Sequence, residues 1–427
     1  MSFRQEVAPI LVQKCLACHG PDKTKGNFRL DTYEWLAKGG ASKEPVFVPG
    51  PPAGGKLLQL LETKDPDDRM PQKDDPLPPA QIHLIERWVG EGAKFDGPDP
   101  KAPLIAIIPR LPYPPPPARY SRPVPVTALA FSPDGETLAA SGYHEITLWN
   151  PADGHLLGRI TNIAERPQSL AFSPDGTRLA MAGGSPGKSG EARVVDPATG
   201  STLHVLNPAT DLALAVAFSP DGTQLAVGGT DNAIRLFNVA DGTQRLLIEQ
   251  HADWVTDVAF SPDGAQLVSA SRDKSARVFD VKTGSMSAAY LDHADFVLAA
   301  VFAMDGKSVY SAGRDRKVHH WSLPEAKKEG QLNGFGDEVY RLVVTPLGVL
   351  SACADGKVRL HANGRKDVTR TFEGLTDRAY TVVFDAKHQR VAAGDHGGAI
   401  TVWNANDGSI ITKFIAAPGY HSGQATK

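Results

Sequence analysis

One short sequence recurs through most of this chain at a nearly fixed interval, and it restricts the fold more than any other feature. Seven copies of Phe-Ser-Pro-Asp-Gly, or of a weaker form of it, begin at Phe131, Phe172, Phe218, Phe260, Phe302, Val344 and Phe384. The spacings are 41, 46, 42, 42, 42 and 40 residues. An interval of this size indicates an array of one supersecondary unit, since each unit buries its apolar surface only against its neighbours.

Each repeat contains the signals for four short strands. An alternating β-branched strand ends at the Phe, the Pro-Asp-Gly turn follows, and a second strand such as Gln266–Ala270 comes next. The third strand of most units ends on an aromatic residue, at Trp149, Phe237, Phe279, Trp321 and Trp403. Four antiparallel strands in each of seven units predict an all-β, seven-bladed β-propeller over residues 126–427. We expect the last unit to form its own fourth strand over 409–415, so that the first and last blades close the ring side by side.

Two of the repeats carry a further set of polar residues. The set is His293, Ser311, Asp315 and Trp321 in the fifth unit, and His251, Ser269, Asp273 and Phe279 in the fourth. These units resemble the WD-repeat family, and the resemblance implies a hydrogen-bonded network across the blade with a structural role. The first and last units depart from the pattern, because Tyr143 and Gly397 stand where the Asp would be.

The N-terminal region carries the sequence Cys15-Leu-Ala-Cys18-His19, which is the attachment pattern of a covalently bound haem c. Two thioethers would anchor one edge of the porphyrin, and the adjacent His19 would then lie beneath the iron as an axial ligand. A zinc site would need two more ligands, yet His83 is the only other His or Cys among residues 1–97. A redox Cys-x-x-Cys would need a βαβ setting, which the sequence lacks. We therefore predict one haem c.

The second axial ligand can be narrowed by elimination. Apart from the initiator, Met70 is the only methionine in residues 1–97, and it lies in a loop between two helical segments. His83 lies on the last helix, predicted over 80–91, beside Arg87 on the polar side. We predict Met70 as the ligand. His83 as the ligand, an open iron site, and Met70 as an ordinary core residue are the alternatives.

Residues 3–96 resemble the planctomycete-type cytochrome c domain. The matching segments are 9–11, 15–21, 25–31, 48–51, 69–71 and 85–93, in the same order and spacing. The resemblance implies a small all-α cytochrome with His19/Met70 ligation, fused here to the WD-repeat-type propeller. Arg29 and Trp88 would contact the haem propionates or edge, or alternatively pack the loop and the last helix. We place this domain at 1–97 and a stiff linker at 98–125, where eleven prolines occur.

Composition limits the possible partners and location. The net charge is −3, which disfavours nucleic acid, and no apolar run is long enough to span a bilayer. Bacterial haem c is attached outside the cytoplasm, so we expect a periplasmic or otherwise extracytoplasmic protein whose signal peptide has been removed.

Two classes of function fit these features. The first is an electron carrier, not an enzyme, that uses its propeller to dock a redox partner on the propeller or at the haem edge. The second is an oxidoreductase whose propeller binds a second cofactor or substrate and receives electrons from the cytochrome. In the propeller, His319 and His320 are the most conspicuous pair, and repeat position predicts His320 as the buried one. Cys353 is expected to be a buried thiol.

Overall fold

The computed structural model describes residues 1–21, 24–42, 44–72, 75–109, 112–185, 189–209 and 211–420. The chain separates into two compact units, Met1–Pro112 and Tyr113–Lys427. The proline-rich stretch predicted as a linker is therefore divided between them. Within the described residues, no helix is both long and apolar enough to cross a membrane.

The N-terminal unit is small and helical. Its described residues form a π-helical turn over Phe3–Val7, a 3₁₀ turn over Lys25–Asn27 and five helices, which are α1 (Ala8–Lys14), α2 (Tyr33–Lys38), α3 (Lys56–Glu62), α4 (Pro79–Gly90) and α5 (Leu104–Ile107). Helix α4 follows the prediction to within one residue at each end. It begins at a proline, whose missing N–H costs nothing in the first turn, and it buries Ile85, Trp88 and Val89 on one face.

An aromatic cluster forms the centre of this unit's core. Phe3 is fully buried, with ring centroids 5.0 Å from Trp88 and 5.2 Å from Tyr33. Phe95 stacks on Tyr33 at 4.7 Å, and the Trp88 indole N–H donates to the Lys94 carbonyl over 2.9 Å. These aromatic contacts join the N-terminal turn to helix α4 and the residues that follow it. The two ends of the unit are therefore fixed to each other through its core.

The second unit is a seven-bladed β-propeller in which each blade is an antiparallel sheet of four consecutive strands. Blades 1 to 4 contain β1 (Leu129–Phe131), β2 (Leu138–Ser141), β3 (Ile146–Trp149), β4 (Leu156–Ile160), β5 (Arg166–Phe172), β6 (Leu179–Ser185), β7 (Ser189–Val195), β8 (Thr202–Ala209), β9 (Ala213–Phe218), β10 (Gln224–Gly229), β11 (Ile234–Asn238), β12 (Gln244–Ile248), β13 (Val255–Phe260), β14 (Gln266–Ser271), β15 (Ala276–Asp280) and β16 (Met286–Tyr290). Blades 5 to 7 contain β17 (Val297–Phe302), β18 (Ser308–Gly313), β19 (Val318–Ser322), β20 (Lys328–Leu332), β21 (Val339–Thr345), β22 (Gly348–Cys353), β23 (Val358–Ala362), β24 (Arg370–Phe372), β25 (Ala379–Asp385), β26 (Arg390–Asp395), β27 (Ala399–Asn404) and β28 (Ile410–Ile415).

The repeated Ser-Pro-Asp-Gly turn explains why the first two strands of a blade pair in register. In blade 4, Ser261 Oγ donates to Asp263 Oδ1 over 2.6 Å, and Gln266 N donates to Ser261 Oγ over 2.9 Å. Gly264 has a φ of +72°, which a residue with a Cβ adopts only with strain. The same serine-to-aspartate bond recurs in blades 1, 2 and 3. Each turn therefore fixes its own hairpin with local bonds.

The ring closes as predicted, with blade 7 forming its own outer strand β28. Strand β1 lies beside β25, and the interface buries residues of both blades, including Leu129 and Leu138 from blade 1 and Ile400 and Val402 from blade 7. Tyr120 strengthens this closure, because its N–H donates to the Pro418 carbonyl over 3.1 Å. The second half of the proline-rich stretch thus packs on the propeller.

Candidate functional site

Helix α1 places Cys15, Cys18 and His19 on one tight turn. The α1 segment ends at Lys14, and Cys15 N donates back to the Leu11 carbonyl over 2.9 Å. Cys18 N and His19 N then both donate to the Cys15 carbonyl, over 3.1 and 3.0 Å. Cys15 is half-buried and Cys18 is exposed. The two thiols and the imidazole therefore leave the backbone from one short loop at the end of a buried helix.

The His19 ring is held by a main-chain acceptor. Its Nδ1 lies 3.3 Å from the Phe28 carbonyl oxygen, and the Phe28 ring packs edge-on at 5.2 Å. Leu30 N donates to the His19 carbonyl over 2.9 Å, which ties the same segment to the histidine backbone. When Nδ1 carries the proton and donates it, Nε2 keeps its lone pair for a metal. Within the described residues, Nε2 has no hydrogen-bond partner.

A cavity of about 430 Å³ brings this loop together with Met70. Cys15, His19 and Met70 line it, and the wall between them is mostly aliphatic and aromatic, from Phe28, Leu30, Val46, Leu57, Leu60 and Leu61. Charged and polar side chains are also present, at Lys25, Ser42, Glu44, Lys56 and Gln72. The volume lies in the range of cofactor sites. Cys18, the second thiol of the attachment motif, is exposed on the same turn and is not part of the lining. An imidazole, a thioether and one of the two thiols around an apolar cavity fit a haem c.

Met70 reaches the cavity because the loop after α3 turns back on that helix. Met70 N donates to the Leu60 carbonyl over 2.8 Å, and Arg69 N donates to the Asp65 carbonyl over 2.9 Å. Leu60 itself lines the cavity, so the bond places the Met70 backbone at the cavity wall. The methionine is partly buried and packs against the core of the N-terminal unit.

The environment of Cys15 argues against the two other interpretations of its motif. Burial, assisted by the nearby Cys18, raises the pKa of the Cys15 thiol to about 11. A redox-active cysteine needs the thiolate, which a lowered pKa favours. A zinc site is judged instead by its set of ligands, because a bound zinc ion deprotonates a thiol itself. Among the described residues, no third His, Cys, Asp or Glu side chain joins this loop in a group spaced to hold a metal ion.

The remaining candidate residues lie away from the cavity lining. His83 is exposed on α4 and lies 3.3 Å from Glu86, as a surface histidine does. Arg29 binds Asp31 through two bonds of 2.8 Å, and its guanidinium lies over the Trp35 ring at 4.6 Å. Trp88 is buried among aromatic rings, so its contacts are those of a core residue.

A hydrogen-bonded chain crosses blade 5. Trp321 Nε1 donates to Ser311 Oγ over 3.0 Å, Ser311 Oγ lies 2.8 Å from His293 Nε2, and His293 Nδ1 lies 2.8 Å from Asp315 Oδ2. Burial alone would raise the pKa of Asp315, but the bond to His293 holds that pKa below its usual value. The ionised carboxylate accepts from Nδ1, so Nε2 accepts the serine proton.

Blade 4 contains the same series of hydrogen bonds without the tryptophan. His251 lies 2.7 Å from Ser269 Oγ and 2.8 Å from Asp273 Oδ2, whereas Phe279 offers no N–H to the serine.

Comparison with known families agrees with both units. Residues 15–74 match the model of the family described as Planctomycete cytochrome C, and that match includes Cys15, Cys18, His19 and Met70. Residues 119–150, 200–238, 242–280 and 284–322 match the WD domain, G-beta repeat. The chain therefore contains a segment similar to planctomycete cytochrome c and, within its seven-bladed β-propeller, four segments similar to WD repeats. A search of curated proteins found no match.

Within the WD-repeat propeller, the prediction for the histidine pair of blade 5 was wrong. His319 is the buried residue, at 1% exposure, whereas the His320 side chain keeps 26% of its surface exposed. His320 stacks on Tyr310 with ring centroids 4.3 Å apart and bonds Ser308 Oγ over 2.8 Å. The equivalent position holds Leu236, Val278 and Leu360 in other blades, whereas the polar imidazole of His320 remains partly exposed. Sequence reasoning did not single out His319, although it stands where other blades carry arginine.

Proposed function

We propose that the protein is an electron carrier that uses a covalently attached haem c in its N-terminal unit. Cys15 and Cys18 would form the thioethers, and His19 and Met70 would be the axial ligands. The observation that carries this proposal is the single cavity lined by Cys15, His19 and Met70. When bound, haem c supplies a one-electron iron couple whose potential a thioether ligand raises.

The protein's own residues favour electron transfer over substrate binding at the iron. His19 is oriented by the Phe28 carbonyl, and Met70 is placed by its bond to Leu60. With both axial positions taken by protein atoms, no position is left for a substrate. The aliphatic part of the cavity wall would lower the reorganisation that accompanies a change of charge at the iron. These features support a carrier rather than an enzyme.

The propeller then serves as the platform for a redox partner. Where the inner strands of blades 4 and 5 begin, the guanidinium of Arg272 lies 4.0 Å from the Trp254 ring and 4.6 Å from the Phe296 ring. All three side chains remain partly exposed. Arginine and aromatic side chains are enriched at protein interfaces and among the residues that contribute most of the binding energy. Because haem c is attached outside the cytoplasm in bacteria, we place the protein and its partner there.

The decisive experiment is to produce the chain with an export signal in a host that has a haem c maturation system. We expect haem that survives denaturing electrophoresis, one iron per chain, a low-spin spectrum and a reversible one-electron titration. A polypeptide without covalent haem would overturn the proposal. A second redox chromophore per chain would instead favour the oxidoreductase in which the propeller holds its own cofactor.

Docking is tested separately on the haem-loaded protein. Arg272→Glu should weaken capture of the partner from a native extracytoplasmic extract, whereas Arg365→Glu, on an exposed loop of blade 6, is the matched control. Equal capture by both variants and by the wild type would exclude this face.

A further inference from the structure

Blade 5 differs from its neighbours at one buried position. His319 pairs with Ser311 across β18 and β19, and the corresponding partner of Ser269 in blade 4 is Arg277. Arg277 is long enough to bind the blade aspartate, with Nη2 lying 3.3 Å from Asp273 Oδ2. The shorter His319 leaves its Nε2 3.8 Å from Asp315 Oδ2, which is beyond hydrogen-bonding distance.

The Nε2 atom of His319 has no hydrogen-bond partner within the described part of the chain. The side chain is 1% exposed, so water at the surface does not compensate. A buried polar atom without a partner destabilises the folded state, and such atoms call for an explanation. On its other side the ring is fixed, because Nδ1 lies 2.6 Å from the Tyr290 hydroxyl.

Three potential ligand atoms converge at this point. One atom each from His293, Asp315 and His319 lies within 4.8 Å of the others, and these three residues form the one such group found among the described residues. The distances to Asp315 Oδ2 are 2.8 Å from His293 Nδ1 and 3.8 Å from His319 Nε2. Ligands at about 2.0–2.1 Å from a tetrahedral zinc lie roughly 3.3 Å apart, midway between these two values.

We propose that blade 5 binds a zinc ion through His293 Nδ1, Asp315 Oδ2 and His319 Nε2, with water or the second carboxylate oxygen as the fourth ligand. Two imidazoles and one carboxylate suit zinc better than magnesium or calcium, which prefer oxygen ligands alone. The Asp315 carboxylate contributes one negative charge and the two imidazoles are neutral, so the cluster with a bound Zn²⁺ has a net charge of +1.

Protons are conserved when the ion binds. The Nδ1 proton of His293 moves to Nε2, where Ser311 Oγ lies 2.8 Å away and can accept it. His319 binds through Nε2 without losing a proton when its ring proton is on Nδ1 and is donated to the Tyr290 hydroxyl, 2.6 Å away. Tyr290 supplies the outer contact that orients a ligating histidine, and it also stacks on Trp321 with the ring planes 7° apart.

The test uses the full-length, haem-loaded chain, purified without a histidine tag from zinc-supplemented medium. We expect one zinc per chain in addition to one iron, measured by elemental analysis after dialysis. Zinc X-ray absorption should show a first shell of nitrogen and oxygen at about 2.0–2.1 Å. A sulfur-containing shell would place the metal on the cysteines and overturn the proposal, as would wild-type protein without zinc.

Three variants separate this site from general metal binding. His319→Arg gives blade 5 the arrangement that blade 4 already has, so the variant should fold and lose the zinc. Tyr290→Phe should weaken zinc binding about 10-fold or more, because it removes the bond that orients His319. His320→Gln alters the neighbouring histidine on the opposite face and should retain one zinc. Zinc retained by His319→Arg, or lost from His320→Gln, would contradict the assignment.

Discussion

His19 and Met70, which follow different helices and lie far apart in the sequence, line the same cavity. His19 comes from the turn after α1, and Met70 from the loop after α3. This arrangement gives the cavity one nitrogen and one thioether ligand atom at its wall. The following predictions test it and the main structural features of the propeller.

Replacing Met70 by alanine should remove the second axial ligand. We expect the weak red absorption band of the oxidised protein to disappear, carbon monoxide binding to the reduced protein to be gained, and the potential to change. Met304→Ala is the matched control, because this methionine is 57% exposed in the propeller. An unchanged visible spectrum in Met70→Ala would exclude Met70 as a ligand.

The three cysteines should behave differently towards haem attachment. Cys15→Ser combined with Cys18→Ser should abolish covalent haem, seen as loss of haem staining after denaturing electrophoresis. Cys353 is fully buried, and its thiol lies 3.3 Å from the Asp337 carbonyl, so Cys353→Ser should keep its haem. Haem retained by the double variant would show that attachment does not depend on this motif.

The hydrogen-bonded networks of blades 4 and 5 should contribute different amounts to the free energy of unfolding. Ser311→Ala leaves both the Trp321 N–H and His293 Nε2 without their partner, and we expect a loss of about 2–3 kcal/mol in the free energy of unfolding. Ser269→Ala removes the bond to His251 and a long 3.4 Å bond to the Arg277 carbonyl, but no tryptophan bond, because blade 4 has Phe279. It should cost about 1 kcal/mol. Urea denaturation of zinc-free protein measures both. Equal losses would argue against the tryptophan bond.

The pKa of His319 predicts an acid-dependent loss of stability in zinc-free protein. It is lowered from 6.5 to about 4 in the folded state, so the unfolded chain takes up this proton first as the pH falls. Stability should be unaffected above pH 6.5 and should decrease between about 6.5 and 4, by at most about 3 kcal/mol.

The comparison that isolates this effect is the wild type against His319→Arg. The arginine variant has no histidine at this position to titrate, so its unfolding free energy should fall less over the same pH window. Parallel pH profiles for the two proteins would contradict the assignment.

The segment around Tyr120, which bonds to the C-terminal Pro418 where the propeller closes, is held by one buried carboxylate. Glu145 is fully buried and binds Arg159 Nε over 2.5 Å and the Tyr120 hydroxyl over 2.6 Å. Glu145→Ala should destabilise the protein by roughly 3 kcal/mol, because it removes the carboxylate from Arg159 and the acceptor from the Tyr120 hydroxyl, and leaves Arg159 only its bonds to the Pro117 and Ala118 carbonyls. Glu325→Ala, at an exposed turn, is the control and should change the thermal midpoint little.

Much of the fold follows from local sequence. The 42-residue repeat determines the propeller, because each Ser-Pro-Asp-Gly turn makes its own bonds and each strand is short. The ring closure could also be anticipated, since the last repeat contains its own fourth strand. The attachment motif is equally local, because Cys15, Cys18 and His19 lie within a single turn.

Contacts between residues that are distant in the sequence could be seen only in the tertiary structure. The sequence favoured Met70 as the second ligand and left His83, an open iron site and a core role for Met70 as alternatives. Only folding brings Met70 to the cavity and leaves His83 exposed on α4. Likewise, the repeat position alone could not show that His319 is buried against Asp315 while His320 extends to the surface. The sequence by itself determined the repeat and the cysteine motif, because these rest on bonds between near neighbours. The cavity and the blade 5 cluster were decided by tertiary structure, because side-chain burial depends on what packs against it from elsewhere in the chain.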